Sequence, residues 1–242
     1  MEKKYKLTEE TINVCGRTLY RIEALKDFND VKKGDKGGYV EDEENLSQRC
    51  NCWVYDDAKV YDNAKVYGRA TVCGKAKVYD NVVVSDKATI SGDTEIFNSA
   101  EVYGNAKICG NAEIFGNAEV YGNAMIYGNA MVCNYAKVCG NAKICGDAMV
   151  YGNAEVYDKA IVCGDAMVYG YAEVYGSAEV YGSAEVFSKA KVFDNAEVYD
   201  EAKVFEDARI YGNAKICGVT WVFDKAEFSG NTIVHGDAVV CG

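Results

Sequence analysis

The chain contains no proline, and its only histidine among 242 residues is His235. Without proline there are no pre-set turn residues, so corners have to be made by glycine, asparagine and aspartate, which tolerate positive φ. With one imidazole, arrangements that pair a nucleophile with a histidine base have little to draw on. No apolar run approaches the roughly 20 residues of a membrane-spanning helix. The opening MEKKYKLTEE is charged throughout, unlike a secretory leader. These absences predict a cytoplasmic protein without a membrane partner. Positive charge is also short: Lys and Arg number 26 against 37 Asp and Glu, for a net charge of −11. That balance argues against direct contact with nucleic-acid phosphates. An acidic mimic of nucleic acid stays open as an alternative, but Lys59, Lys65, Lys77, Lys107, Lys137 and Lys143 interrupt the carboxylates.

No C-x-x-C pair occurs. Cys50 and Cys52 form only C-N-C, a weak zinc spacing. Eight of the 11 cysteines (Cys73, Cys109, Cys133, Cys139, Cys145, Cys163, Cys217 and Cys241) fill a slot that otherwise holds Tyr or Phe. They are read as structural free thiols, with no metal site and no cofactor.

What the chain does contain is one hexapeptide, over and over. From Ala58 to Ala238 every sixth residue is Ala, except Val82, Thr94, Thr220 and Thr232. Two residues after each stands Val or Ile, with Phe228 the sole exception. The series extends upstream through Cys52, Leu46 and Val40. The unit is A-x-[VI]-[YCF]-[GD]-[ND]. Its first three residues alternate small, variable and aliphatic, the pattern of a short strand with Ala and Val on one face and the variable residue on the other. The remaining residues are turn formers. One hexapeptide is thus a strand and a corner, unable to bury its inner face unless coils stack.

The spacing from Val120 to Ala124, with Asn123 at the corner, resembles the left-handed parallel β-helix of the hexapeptide-repeat proteins. The resemblance covers residues 40–242 and implies an all-β triangular solenoid, three hexapeptides to a coil. That gives about 11 coils near 4.8 Å apart and brings residues 18 apart into register. One departure is the bulky Tyr, Phe or Cys directly after the aliphatic residue. Residues 1–39 do not repeat. Ile12 to Leu25 alternate about Cys15-Gly16 like a hairpin, followed by the polar turn KKGDKGGY, and are read as an N-terminal cap over the first strand edge. GRTLYRIEAL and GGYVE before the repeats also resemble small proteins of phages and prophages. The sequence stops in mid-repeat at VVCG, read as an uncapped last coil.

The hexapeptide family is best known for acyltransferases with a histidine base and a loop extruded from the coil. Here the register admits no loop, and His235 sits in the aromatic slot of the penultimate repeat. The expectation is therefore a non-catalytic interaction solenoid, with acyl transfer as the alternative. Function then belongs to the places where the repeat breaks its own pattern. Met131, Met149 and Met167 replace charged residues in the outward slot at steps of 18, so they stack on one face. Cys133, Tyr151 and Tyr169 follow two positions later. Tyr135 and Tyr171 replace the corner asparagine, 36 residues apart, at a corner expected to need positive φ and so to be strained. Met131, Met149, Met167, Tyr135, Tyr151, Tyr169 and Tyr171 are the candidate contact face. Its expected occupant is another copy of the chain, in a trimer first and a dimer second. A host protein or a small nucleotide-like ligand follows, as in antagonism of a host defence.

Overall fold

The computed structural model describes residues 2–242. The strands fall at the x-V positions of the repeat, as in Lys59–Val60, Glu119–Val120 and Met149–Val150. The described residues build an all-β parallel solenoid of about 11 turns, divided into two compact units, Met1–Gly116 and Asn117–Gly242.

In the first unit, β1 (Tyr5–Val14) and β2 (Arg17–Ala24) form an antiparallel hairpin. Cys15 and Gly16 close it at φ 50° and 82°, the left-handed pair that a two-residue hairpin turn requires. β2 pairs antiparallel with β3 (Lys36–Val40), which pairs in parallel with Lys59–Val60. The hairpin thus occupies the sheet edge that the first rung would otherwise leave unpaired. Its inner side chains Tyr5, Leu19 and Ile22 are fully buried. Tyr5 Oη donates to the Leu46 carbonyl at 2.7 Å, and the buried Lys4 Nζ donates to the carbonyls of Cys50 and Cys52, each at 2.8 Å. Loss of water there pushes the Lys4 ammonium below its usual range. On the outside, Glu10 accepts from Lys36 at 2.7 Å and Arg21 at 2.8 Å, which together hold its carboxyl down to about 2.

In both units the repeat residues behave as their chemistry requires. Ala and Val or Ile of each rung point inward and are fully buried, as at Ala76 and Val78 or Ala148 and Val150. Where threonine replaces the alanine, its hydroxyl donates to the carbonyl three residues earlier, Thr94 to Ser91 and Thr220 to Cys217, both at 2.7 Å. No polar atom is stranded by the exchange. Each corner turns on a positive φ in the Gly or Asp slot, for example Gly152 at 75° and Asp158 at 59°. Aspartate recurs there because its carboxylate accepts the amide of the residue 18 further on. Asp158 takes the amide of Gly176 at 3.2 Å, and Asp194 that of Gly212 at 3.1 Å. The corner residue thereby ties its coil to the next.

The stacking corrects the reading of all eight slot cysteines as free thiols. Cys145 and Cys163 occupy the same slot on adjacent rungs, with Cα atoms 4.6 Å apart, and their sulfurs are joined in a disulfide. A step of 18 residues superposes like slots, so two successive cysteines in one column must meet. Cys73, Cys109, Cys133, Cys139, Cys217 and Cys241 remain free.

The aromatic slot stacks as well. Tyr61, Tyr79, Phe97 and Phe115 form one column in the first unit, with centroids 4.8–5.4 Å apart. Such packing withdraws the phenols from water. Burial raises Tyr79 to about 12, and a hydrogen bond with Cys217, followed by burial, raises Tyr199 to about 12. Tyr61, Tyr157, Tyr169 and Tyr181 are pushed up too, burial being the largest cause for each. A phenol in the unfolded chain ionises near pH 10, so above that pH the folded state holds protons that the unfolded state has lost. The stability these groups contribute is complete below about pH 10 and is lost as pH rises through about 12. The tyrosinate absorbance of these stacked phenols should therefore emerge together with loss of β circular dichroism. Ionisation of every tyrosine, the stacked ones included, near pH 10 with the fold intact would contradict this.

Candidate functional site

The candidate face lies wholly in the second unit. Met131–Val132, Met149–Val150 and Met167–Val168 are adjacent parallel rungs in register, Met131 beside Met149 and Met149 beside Met167. The inner partners Val132, Val150 and Val168 are fully buried, which forces the three methionines to the outer surface, where they are half-buried. The three methionines stand in register on the outer surface, in the slot where most rungs carry Lys, Glu or Thr. The structure brings these three residues together as the 18-residue spacing requires.

Tyr151 and Tyr169 stack at 4.8 Å, and the column continues through Phe187, Phe205 and Phe223 at 4.8–5.1 Å. Cys133 closes its other end and is buried. Tyr169 Oη donates to Glu185 Oε2 at 2.9 Å, and Glu185 Oε1 lies 2.6 Å from Lys203 Nζ. Burial raises the Tyr151 phenol, with the Glu185 carboxylate adding to the effect. The two tyrosines are thus half-buried walls of the face.

Tyr135 and Tyr171 are different. They stand at the same corner, two rungs apart, and are 60% and 63% exposed. Neither is strained, contrary to expectation. The positive φ falls one residue earlier, on Asn134 at 62° and Gly170 at 74°. Each tyrosine amide donates in the ladder, Tyr135 to Gly152 at 2.8 Å and Tyr171 to Ser188 at 2.6 Å. Asparagine serves at position 134 because it tolerates the left-handed region better than other side-chain-bearing residues. Tyrosine is free to occupy the next position, where the backbone makes no special demand. Beside Tyr171 is a shallow depression of about 300 Å³ lined also by Glu173, Lys189, Lys191, Asp207 and Arg209.

Sequence reasoning stopped at the methionines, but the same sheet goes on. The outward side chains after Met167 are Glu185, Lys203, Trp221 and Val239, one per rung. Trp221 is 44% and Val239 68% exposed, and Lys203 Nζ lies 6.0 Å from the Trp221 ring centroid. The signal was present, since all four follow Met167 at steps of 18. At the corner on the tyrosine side, Lys189 and Asp207 are exposed, and among the described residues neither side chain has an ion-pair or hydrogen-bond partner. His235 is exposed and belongs to the column of Cys217, away from this face.

A second depression, about 740 Å³, lies in the first unit between Arg17, Glu41, Asp42, Asn45, Asp62 and Lys65. Three of its four carboxylates, those of Glu41, Asp42 and Asp62, are already committed. Glu41 accepts from Arg17 at 2.9 Å and from the Asp62 amide at 2.8 Å, Asp62 pairs with Arg17, and Asp42 caps Glu44. Among the described residues no group of three or more His, Cys, Asp or Glu is placed to hold a metal ion. No helix among them is long and apolar enough to cross a membrane.

Residues 118–134 and 142–158, the stretch that carries Met131 and Met149, match the family described as the YdcK beta solenoid repeat. The chain is also similar to a protein of Escherichia coli (strain K12) named uncharacterized acetyltransferase YdcK. The two are 36% identical over 66 residues, which cover 24% of this chain and 20% of that protein. The match thus spans about a fifth of its length.

Proposed function

We propose that this chain is a non-catalytic interaction solenoid whose methionine–tyrosine face holds a partner, and that the partner is a second copy of the chain. The observation that supports this most is the register of Met131, Met149 and Met167 on adjacent rungs, flanked by the exposed Tyr135 and Tyr171. In a repeat whose outward slot usually holds Lys, Glu or Thr, three methionines on adjacent rungs of one sheet give up the charge that keeps such a face apart from its neighbours. Tyrosine and methionine are residue types that protein interfaces favour. A host protein, or a small nucleotide-like ligand stacked on the tyrosines, would use the same face. Host-defence antagonism is the setting that the resemblance to phage-type proteins implies.

The test is Met149→Glu, which restores the ordinary repeat. Burying a methionine stabilises by up to about 1.5–3 kcal/mol before association costs are deducted. Each copy contributes one, so the substitution should weaken association at least about tenfold while circular dichroism and melting stay unchanged. Association that survives the change would remove this reading.

A second reading is acyl transfer, which the name of the YdcK relative favours. It would rest on His235 as the general base. Acetyl-CoA turnover by the purified chain, lost in His235→Ala, would establish it in place of the first reading.

A further inference from the structure

Along the methionine sheet of the second unit the outward side chains run Met131, Met149, Met167, Glu185, Lys203, Trp221 and Val239, at one rung each. Building on the self-contact reading above, we infer that two copies pair through this sheet in antiparallel fashion. The two-fold axis lies in the interface, parallel to the strands, midway between the Glu185 and Lys203 rungs.

Two identical faces can close on each other in two ways. If the axis runs along the direction of rung stacking, each rung meets its own copy. Glu185 then faces Glu185 and Lys203 faces Lys203, like charge on like. If the axis runs along the strands, the rung order is reversed. Glu185 then faces Lys203 of the second copy, and Lys203 faces its Glu185. The same operation places Met167 against Trp221 and Met149 against Val239, so these two methionines each meet an exposed apolar side chain further along the sheet, while Met131 lies one rung outside the matched six. At the tyrosine corner it sets Lys189 opposite Asp207, the two exposed charges that have no partner within the chain. Tyr171 comes opposite Lys225, where an ammonium can lie over the ring.

Two independent columns, the outward slot and the corner, thus carry opposite charges related by one axis. Both copies share one rung spacing, so the match holds across all six rungs from Met149 to Val239. Six rungs at about 4.8 Å, by about 16 Å of strand and corner, cover about 500 Å² on each copy, enough for a reversible dimer.

Sedimentation equilibrium on the purified chain tests this. The wild type should dimerise reversibly. Glu185→Lys alone and Lys203→Glu alone each set like charges across the axis and should weaken the dimer more than about tenfold. The double exchange Glu185→Lys with Lys203→Glu should return it to within about threefold of wild type. Because Glu185 and Lys203 also pair within one chain, the exchange is repeated with Lys189→Asp and Asp207→Lys, which disturb no internal pair. Single changes without effect, or a double exchange that fails to restore the dimer at both sites, would overturn the antiparallel register. Met149→Glu separates the two claims. If it dissociates the dimer while the charge variants do not, the face stands and the register falls. If the dimer survives Met149→Glu, both fall, and a wild type monomeric at about 100 µM overturns both as well.

Discussion

Val150→Asp should unfold the second unit, whereas Met149→Glu, one residue away on the same rung, should leave it folded. Val150 is fully buried between Val132 and Val168 on adjacent rungs. A carboxylate there has no partner and no water. The valine's burial, about 1.5–3 kcal/mol, is lost, and the unsatisfied acid adds several kcal/mol more. Met149 points the other way, into a slot that accepts Glu at positions 155, 173 and 185, so the change should cost less than about 0.5 kcal/mol. Urea denaturation followed by circular dichroism reads both. If Met149→Glu proved the more damaging of the two, the inside and outside of the rungs would be reversed.

Gly38→Val should detach the N-terminal hairpin. A Cβ on Gly38 would lie 2.5 Å from the Ala58 carbonyl oxygen and 2.6 Å from Val54 Cγ1, and one on Gly37 would lie 2.5 Å from the Val54 carbonyl oxygen. The backbone of β3 therefore sits directly on the first coil, and a side chain forces it away. Overpacking against backbone should cost about 3 kcal/mol, a fall in melting temperature of about 6–12 °C for a chain of this size. Trypsin should then cut at Arg17, Arg21 and Lys36, whose strands would have lost their pairing. Gly16→Ala is the control. Its Cβ meets nothing within 4 Å and φ is +82°, so only the left-handed conformation is penalised, by about 1 kcal/mol. Equal losses from the two substitutions would show that the close approach at Gly38 is unimportant.

These expectations rest on two different kinds of information. The period of six, with Ala and Val two residues apart, was enough to determine which residues enter the core. A strand has only two faces, and alternation assigns each side chain to one of them. Stacking at 18 residues followed from three hexapeptides to a coil, and with it the alignment of Met131, Met149 and Met167. The hairpin about Cys15-Gly16 was likewise legible, because a two-residue turn needs left-handed residues and Gly supplies one.

What the repeat left open was everything that depends on which atom reaches which neighbour. The corner's positive φ could belong to either of two turn-forming positions. Only the backbone path placed it on Asn134 and Gly170 and left Tyr135 and Tyr171 unstrained. Single-column cysteines read as aromatic substitutes until adjacent rungs brought Cys145 and Cys163 within bonding reach. Glu185 and Lys203 follow Met167 at steps of 18, but only the structure showed Glu185 bound to Lys203 and Tyr169, and Lys203 beside the Trp221 ring. Composition and period determine a side chain's face, because that is a property of the strand to which it belongs. Its company is set by residues 18 and 36 positions away, which only the stacked coils bring together.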